Sequence, residues 1–370
     1  RPALYEYRPL AKAFVEMRAG RLERLEDARL AVEELKERPE AAIFARGHDA
    51  GADGSLFRTV LLPLLVRTAE ACGGFDWDDD AFRRAYCEFE ETLFARRHSY
   101  VALAPLVGVS AGGTIELGPG LRLRMAAAGE LAAHWPEAGG LLPADFGREA
   151  DRAFVLELER PLRAGAPEPP DAPGELADAL TAIRLATAGA VATGPVIFER
   201  LDWRPYGIRP AVPIAATQPP GEPTRLDPLR GRLAADLLVR LSVCDDDSEL
   251  GEALDRFELS LFQAEPFRSE QLRESLTALL GGIDGLFAAA LRASILLGDT
   301  GRDRAGHLRR LRALTAGEPA TTETADAVRL ALVEALLHGD RVALIASLDD
   351  SLVGLSPRPT GYRAARSLAS

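Results

Sequence analysis

Lysine is nearly missing from this sequence. Two of its 44 basic residues are lysines, Lys12 and Lys36, and the other 42 are arginines. This bias, with abundant alanine, glycine and proline, is typical of GC-rich bacterial coding, so a single arginine carries little functional information. Acidic residues outnumber basic ones, and the formal net charge is -12. Such a balance argues against non-specific coating of nucleic acid by the whole chain, although a local basic site remains compatible with it.

Cysteine is scarce as well, and no Cys-x-x-Cys pair occurs. Cys72, Cys87 and Cys244 are an odd number and lie far apart, which argues against a disulfide framework and a structural zinc site. We expect each to be a buried, inert thiol. No apolar run approaches the roughly 18 residues of a membrane-spanning helix, and no secretory leader is recognisable. These absences predict a cytoplasmic protein that does not engage a membrane.

The common cofactor and catalytic signatures are also missing. The sequence has no P-loop, no Gly-x-Gly-x-x-Gly after a predicted strand, no His-Glu-x-x-His and no Gly-x-Ser-x-Gly. We therefore expect no cofactor and no metal. Asp76 and the acidic residues 78–80 predict the start of a helix, where carboxylates are favourable. A metal site is the alternative interpretation of these acids.

Hydrophobic patterning predicts an α+β N-terminal region followed by an all-α helical bundle. Residues 1–98 are predicted to be mostly helical, and residues 99–217 to form an α+β domain of short strands joined by glycine turns. The Pro-rich segment 218–228 is the predicted linker, residues 229–357 the helical domain, and 358–370 a tail. Two stripes at i, i+4, i+8 spacing predict core positions: Val328, Leu332 and Leu336, and Leu344, Leu348 and Leu352.

A set of mostly apolar segments carries a resemblance to a known family. They are DRFEL at 255–259, LTALL at 276–280, LRASILLGD at 291–299 and the leucine-rich stretch 308–314, preceded upstream by APLVG at 104–108 and IELGPGLRLR at 115–124. Together they resemble the Apea-like branch of the HEPN superfamily. The resemblance implies a HEPN-like bundle that forms a homodimer through its C-terminal helices and binds RNA. It also implies a bacterial anti-phage defence or toxin context, in which catalytic members are metal-independent endoribonucleases.

The chain departs from this family at the catalytic element. HEPN ribonucleases carry an arginine followed a few residues later by a histidine, and the Apea-like form places this pair after the helix that corresponds to residues 308–314. Here that position holds Arg312 and Gly317 without a histidine. By this alignment the active site has decayed.

One Arg-x4-His element nevertheless occurs, formed by Arg302, the polar Asp303 and His307. In metal-independent RNA cleavage, a histidine can accept the 2′-hydroxyl proton and an arginine can stabilise the charge of the transition state. Arg302, Asp303 and His307 are therefore the candidate catalytic residues. With five histidines and 42 arginines in the chain, about 1.7 matches are expected by chance over the three Arg-to-His spacings that the family allows.

Helical geometry gives His307 a second interpretation. Arg302 and His307 lie about 140° apart on an ideal helix, and His307 falls on the side of Leu311 and Leu314. This arrangement predicts a half-buried, structural histidine.

Arginines crowd residues 302–312 of this acidic chain. The candidate nucleic-acid-binding residues are Arg304, Arg309, Arg310 and Arg312, with Arg302 beside them. A surface that follows RNA phosphates is one interpretation, and a solvated helix face paired with acids is the other. No aromatic residue interleaves with these arginines in the sequence, so a base-stacking platform is not indicated.

Two functions from different classes follow from these observations. The first is a HEPN-like protein that binds RNA or cleaves it without metal. The second is a non-catalytic dimerisation or partner-binding module of the same fold with a decayed active site. A metabolic enzyme with a site in the α+β region is a third possibility, which no motif supports.

Overall fold

A computed structural model of the chain describes residues 11–37, 41, 45, 55–72, 76–94, 97–127, 129–131, 135, 138–141, 154–163, 170–201, 204–211, 220–241 and 246–359. These residues belong to two compact units. The first unit takes its residues from 1–101, 160–170 and 200–206, and the second from 102–159, 171–199 and 207–370.

The described part of the first unit is mainly helical. Its helices are α1 (Ala11–Met17), α2 (Ala19–Leu22), α3 (Glu26–Lys36), α4 (Leu62–Ala71), which continues a π-helical turn at Phe57–Leu61, and α5 (Asp79–Phe94). Val60 and Phe89 lie in a small core, against which Leu35, Leu56 and Leu64 pack. Arg67 of α4 pairs with Glu88 of α5. The helical character predicted for this region is confirmed in its described part.

The acidic segment before α5 has a structural role. Asp78 accepts hydrogen bonds from the backbone N–H groups of Asp80 (2.8 Å) and Ala81 (3.0 Å), which satisfies donors that a helix start leaves unpaired. The predicted helix start is therefore confirmed. Within the described ranges, no group of three or more His, Cys, Asp or Glu side chains is placed to hold a metal ion.

The expectation that the cysteines are buried is wrong for the two that the structure describes. Cys87 is exposed and Cys72 is half-buried. Cys87 lies on α5 and Cys72 directly follows α4, and an amphipathic helix at a protein surface leaves one side in solvent. Cys244 lies outside the described residues.

Short strands dominate the described chain between α5 and residue 226. They are β1 (Arg97–Val107), β2 (Val109–Ala111), β3 (Ile115–Gly118), β4 (Leu121–Met125), β5 (Phe154–Arg163), β6 (Ala192–Thr193), β7 (Val196–Leu201), β8 (Arg204–Pro210) and β9 (Thr224–Leu226). The main sheet has the order β3-β4-β5-β1-β7-β8, and β6 pairs with β1. The pairs β1–β6, β3–β4 and β4–β5 are antiparallel. Together with two helices the strands form the predicted α+β region.

Charged side chains pair across β4 and β5 on one face of the sheet. Arg122 lies opposite Glu157 in register, and both Arg122 and Arg124 form ion pairs with this buried carboxylate. Arg124 also reaches Glu130. The opposite face carries the core, where Leu121 and Leu123 are buried in alternation with the arginines, as the period of a strand requires.

Longer helices make up most of the described part of the second unit. They are α7 (Ala172–Thr187), α8 (Pro228–Leu241), α9 (Ser248–Phe262), α10 (Phe267–Leu280), α11 (Gly285–Leu297), α12 (Gly301–Thr315), α13 (Thr322–His338) and α14 (Arg341–Leu352), with α6 (Ala138–Leu141) a short turn before them. From α8 to α14 the described elements are all helical, which confirms the predicted all-α C-terminal part. Aspartate caps explain several starts, such as Asp247 before α9 and Asp340 before α14.

The first C-terminal helix lies directly on the sheet. A Cβ atom added to Gly231 of α8 would come within 2.6 Å of the Ile115 side chain in β3, so only glycine permits this approach. Upstream, residues 224–226 of the Pro-rich segment form β9, which pairs in parallel with β2. The last residues of the segment therefore join the sheet region to α8 through backbone hydrogen bonds.

One predicted leucine stripe is confirmed in full and the other in part. Val328, Leu332 and Leu336 of α13 are buried completely, as are Leu344 and Leu348 of α14. The exposed fraction of Leu352 is 37%, because it lies in the last turn of α14, where the helix leaves the core. Among the described residues, no helix is both long and apolar enough to cross a membrane.

The carbonyl end of α10 is enclosed by two buried arginines. Arg292 of α11 donates from Nη1 to the carbonyl oxygens of Leu280 (2.8 Å) and Gly281 (3.0 Å). Arg341 of α14 donates to those of residues 278 and 279, at 3.3 and 3.4 Å. Carbonyls at the end of a helix have no partner within it, and here two side chains supply donors to all four.

Carboxylates hold these two guanidinium groups in place. Arg292 forms ion pairs with Asp284 (2.8 Å) and with Asp349 of α14 (2.7 Å). Arg341 pairs with Asp247, the residue that caps α9, at 2.8 Å. The ends of α9, α10, α11 and α14 therefore meet in one network of charged hydrogen bonds.

We expect Arg292→Ala to lower the free energy of unfolding, because the buried Leu280 carbonyl loses its donor, at a cost of about 1–3 kcal/mol, while the Gly281 carbonyl keeps the N–H of Asp284. Urea unfolding followed by circular dichroism measures the change. Arg302→Ala is the matched control, since Arg302 is exposed on α12 and a surface substitution of this kind changes stability by less than about 0.5 kcal/mol. Equal unfolding midpoints for the two variants would contradict the role given to Arg292.

Candidate functional site

The predicted site residues all lie on α12, whose start is fixed by a capping box. The side-chain oxygen of Thr300 accepts from the N–H of Asp303 (3.2 Å), and the Asp303 carboxylate accepts from the N–H and hydroxyl of Thr300 (3.2 and 2.7 Å). These hydrogen bonds lower the pKa of Asp303. Asp303 is thus an ionised structural residue at the start of the helix.

A tight turn links α12 to the preceding α11. Arg304 is half-buried, and its Nε donates to the carbonyl oxygen of Gly298 at 3.1 Å. A Cβ atom on Gly298 would approach the backbone N of Arg304 to 2.6 Å, so the turn requires glycine. The side chain of Arg304 is therefore engaged in holding two helix ends together, unlike the exposed arginines of α12.

His307 occupies the inner side of α12. Leu311 and Leu314 are completely buried and His307 is half-buried, as the helical spacing predicts. Its Nδ1 atom is buried and has no hydrogen-bond partner among the described residues. Burial lowers the pKa of His307 below the ordinary value of 6.5, and the Arg310 cation lowers it further, while Asp303 raises it. His307 is therefore a neutral side chain near pH 7.

The three candidate catalytic residues are not gathered at one point. Asp303 and His307 lie one turn apart on the same side of α12, and Asp303 is engaged with Thr300. Arg302 is exposed and lies about 140° around the helix from His307. Within one chain, the arginine and the histidine therefore lie on different sides of the helix.

The outer side of α12 carries a continuous basic surface. Arg302, Arg309, Arg310 and Arg312 are all exposed; we call these four residues the arginine face. In the part of the chain that the structure describes, the side chains of Arg302, Arg309 and Arg310 take part in no ion pair and no hydrogen bond. Their positive charges are thus turned toward solvent.

The positive charge of this surface acts on one carboxylate outside α12, that of Glu323. Hydrogen bonds from its own backbone N–H and from Thr321 lower the pKa of Glu323, and the Arg310 cation lowers it further through space. Glu323 lies in the first turn of α13 and forms no direct ion pair with Arg310. The field of the arginine face therefore extends beyond the helix that carries it.

An exposed aromatic ring from another helix lies at one end of the arginine face. Phe287, in the first turn of α11, is 52% exposed. The guanidinium carbon of Arg312 lies 5.7 Å from the centre of its ring, within the range of a cation–π contact. The two residues are far apart in the chain, and their contact depends on the packing of α11 against α12. Sequence reasoning missed this ring, because no local pattern links it to the arginines.

A separate cavity of about 230 Å³ is lined by residues of α9, α10 and α13. Its lining includes Phe257, and its charged residues are Arg268, Arg329, Glu323 and Asp326. The charges balance, and Arg329 is occupied by Asp326 and by a backbone carbonyl of α7. Among the described lining residues there is neither cysteine nor histidine, and the volume is below that of a usual ligand pocket. The cavity gives no support to a metabolic active site.

Comparisons of the chain with protein-family models, with curated proteins and with solved structures find no match.

The lowered pKa of His307 predicts a pH-dependent loss of stability. Between the pKa of the folded state and that of the unfolded state, near 6.5, the unfolded chain binds a proton that the folded chain does not. Stability therefore falls as the pH decreases through this window. We expect the free energy of unfolding of the wild type, minus that of His307→Gln, to decrease from about pH 7.5 to about pH 5.5. A constant difference would show that His307 titrates equally in both states.

Proposed function

We propose that the protein is HEPN-like and binds RNA through the arginine face of α12 without cleaving it. The observation that carries this proposal is the exposure of Arg302, Arg309 and Arg310, whose side chains form no direct ion pair with a described carboxylate. Neighbouring cations without a partner repel one another, and an anion that lies across them removes that repulsion. A polyphosphate backbone is such an anion.

The spacing along the helix suits a phosphate backbone. Arg302 and Arg312 lie ten residues apart, which corresponds to about 15 Å along the axis. Arg309 and Arg310 lie between them. Ala305 and Gly306 also lie between them and are small, so little side-chain volume projects from the helix there. Arginine forks bind phosphate oxygens in a bidentate manner, so a nucleic-acid strand can follow this side of the helix.

The same geometry supports binding without cleavage. The Asp303 carboxylate belongs to the helix cap, and Arg302 and His307 lie on different sides of α12. The absence of a histidine after Arg312 agrees with the decayed family element. The homodimer through the C-terminal helices, which the resemblance implies, belongs to the same proposal and would present two arginine faces in one assembly.

We expect Arg309→Ala/Arg310→Ala to weaken RNA binding and to reduce its salt dependence. The slope of log K against log salt should fall by about 0.7–0.9 for each phosphate that the variant no longer neutralises. Fluorescence anisotropy of a labelled RNA at several KCl concentrations measures both quantities. Arg232→Ala/Arg240→Ala is the matched control, because it removes two exposed arginines from α8. Equally weak binding by both double variants would mean that only net charge matters and would contradict a specific site.

We expect no cleavage of labelled tRNA or mixed RNA by the purified wild-type protein in EDTA. Gel electrophoresis after prolonged incubation detects any products, and His307→Ala is run in parallel. Cleavage by the wild type that His307→Ala abolishes would overturn the non-catalytic proposal and establish His307 as a catalytic residue. Equal cleavage by both proteins would indicate a contaminating nuclease or a site elsewhere.

A further inference from the structure

An exposed aromatic ring beside a phosphate-binding surface has a specific use. Phe287 keeps 52% of its surface in solvent, although the other large apolar side chains of α11 are buried or half-buried. Burial of an aromatic ring stabilises a fold strongly through the hydrophobic effect, but the ring of Phe287 is only partly buried. The position of Phe287 is therefore not explained by the packing of the helical part.

Arg312 places a positive charge beside this ring and links the ring to the arginine face. Its guanidinium carbon lies 5.7 Å from the ring centre, and Arg312 is itself exposed. The same residue ends the row of arginines that begins at Arg302. An RNA strand that follows the row with its phosphates therefore arrives at Phe287.

We propose that an unpaired RNA base stacks on Phe287 beside Arg312, while the arginine face holds the neighbouring phosphates. This inference rests on the proposed RNA binding and adds a second recognition element to it. Every base has a π surface, so such stacking is tolerant of sequence. In a duplex the bases are already stacked inside the helix, so the ring selects single-stranded segments.

The chain offers a matched control for this ring. Phe267, in the first turn of α10, is 60% exposed, similar to Phe287, but no described arginine lies over it. Substituting either residue removes the same exposed side chain from the first turn of a helix. Of the two, Phe287 alone lies against the arginine face.

The experiment measures binding of a single-stranded RNA and of a duplex of the same length to four proteins: wild type, Phe287→Ala, Phe287→Tyr and Phe267→Ala. We expect the wild type to prefer the single strand. Phe287→Ala should weaken that binding by about 5- to 150-fold, the range that removal of a stacking aromatic produces, with little change for the duplex. Phe287→Tyr and Phe267→Ala should bind as the wild type does.

A base analogue reports the stacking directly. The fluorescence of 2-aminopurine placed in the single strand should be quenched by the wild type and by Phe287→Tyr, but much less by Phe287→Ala at saturation. Circular dichroism of each variant confirms that the helical content is unchanged.

The outcomes separate this inference from the proposed function. Salt-dependent binding that Arg309→Ala/Arg310→Ala weakens, with no effect of Phe287→Ala on affinity or quenching, would overturn the stacking role and leave RNA binding intact. Absence of binding to either RNA by the wild type would overturn both. Equally weakened binding by Phe287→Ala and Phe267→Ala would also overturn the inference, because exposed apolar area alone would then explain the effect.

Discussion

Four carbonyl groups at the end of α10 form the constraint on which the helical part depends. A helix that ends inside a protein must find hydrogen-bond donors for these groups, because each buried carbonyl left without a donor costs about 1–3 kcal/mol. Arg292 and Arg341 supply the donors, and each is in turn neutralised by aspartates on neighbouring elements. Because α10 packs against α9, α11, α13 and α14, these two side chains set where four other helices meet.

Other arginines of the second unit also donate to carbonyl groups at helix ends, so part of the arginine excess has a structural role. Arg329 of α13 donates to the Leu185 carbonyl near the end of α7 at 2.6 Å, and Arg304 donates to Gly298 just after α11. A cation is favourable at a helix C-terminus, where the dipole is negative. Deep in the second unit, Arg184 pairs with Glu258 at 2.6 Å, and burial raises the pKa of that carboxyl. The exposed arginines of α12 differ from these, because they form no ion pair in the described chain.

Local patterns predicted most of the helical part and much of the sheet region. The spacing of Val328, Leu332 and Leu336 located α13, and the glycine-containing turn at 118–120 located β3 and β4, because both signals lie within a few residues. The angle between Arg302 and His307 also predicted the half-buried position of the histidine. Contacts between distant segments were beyond such reasoning. The pairing of β2 with β9 joins strands over a hundred residues apart, and neither strand carries a pattern that identifies its partner.

The candidate site shows the same division between local and distant information. Exposure of Arg309 and Arg310 followed from helical periodicity. The contact of Phe287 with Arg312 depends on how α11 folds back on α12, so no sequence pattern indicated an aromatic ring among the arginines. Asp303 illustrates a local signal that was overlooked. Its place directly after Arg302 in the Arg-x4-His element suggested catalysis, whereas Thr300 three residues earlier already formed the pattern of a capping box.

The tight turn at Gly298 has a consequence for the proposed RNA-binding surface. Glycine allows the backbone of α12 to lie against the end of α11, and Arg304 joins the two helices through its hydrogen bond to the Gly298 carbonyl. The same turn brings Phe287 and Arg312 into contact within the free protein, so the RNA binding proposed above would not have to assemble this part of the surface.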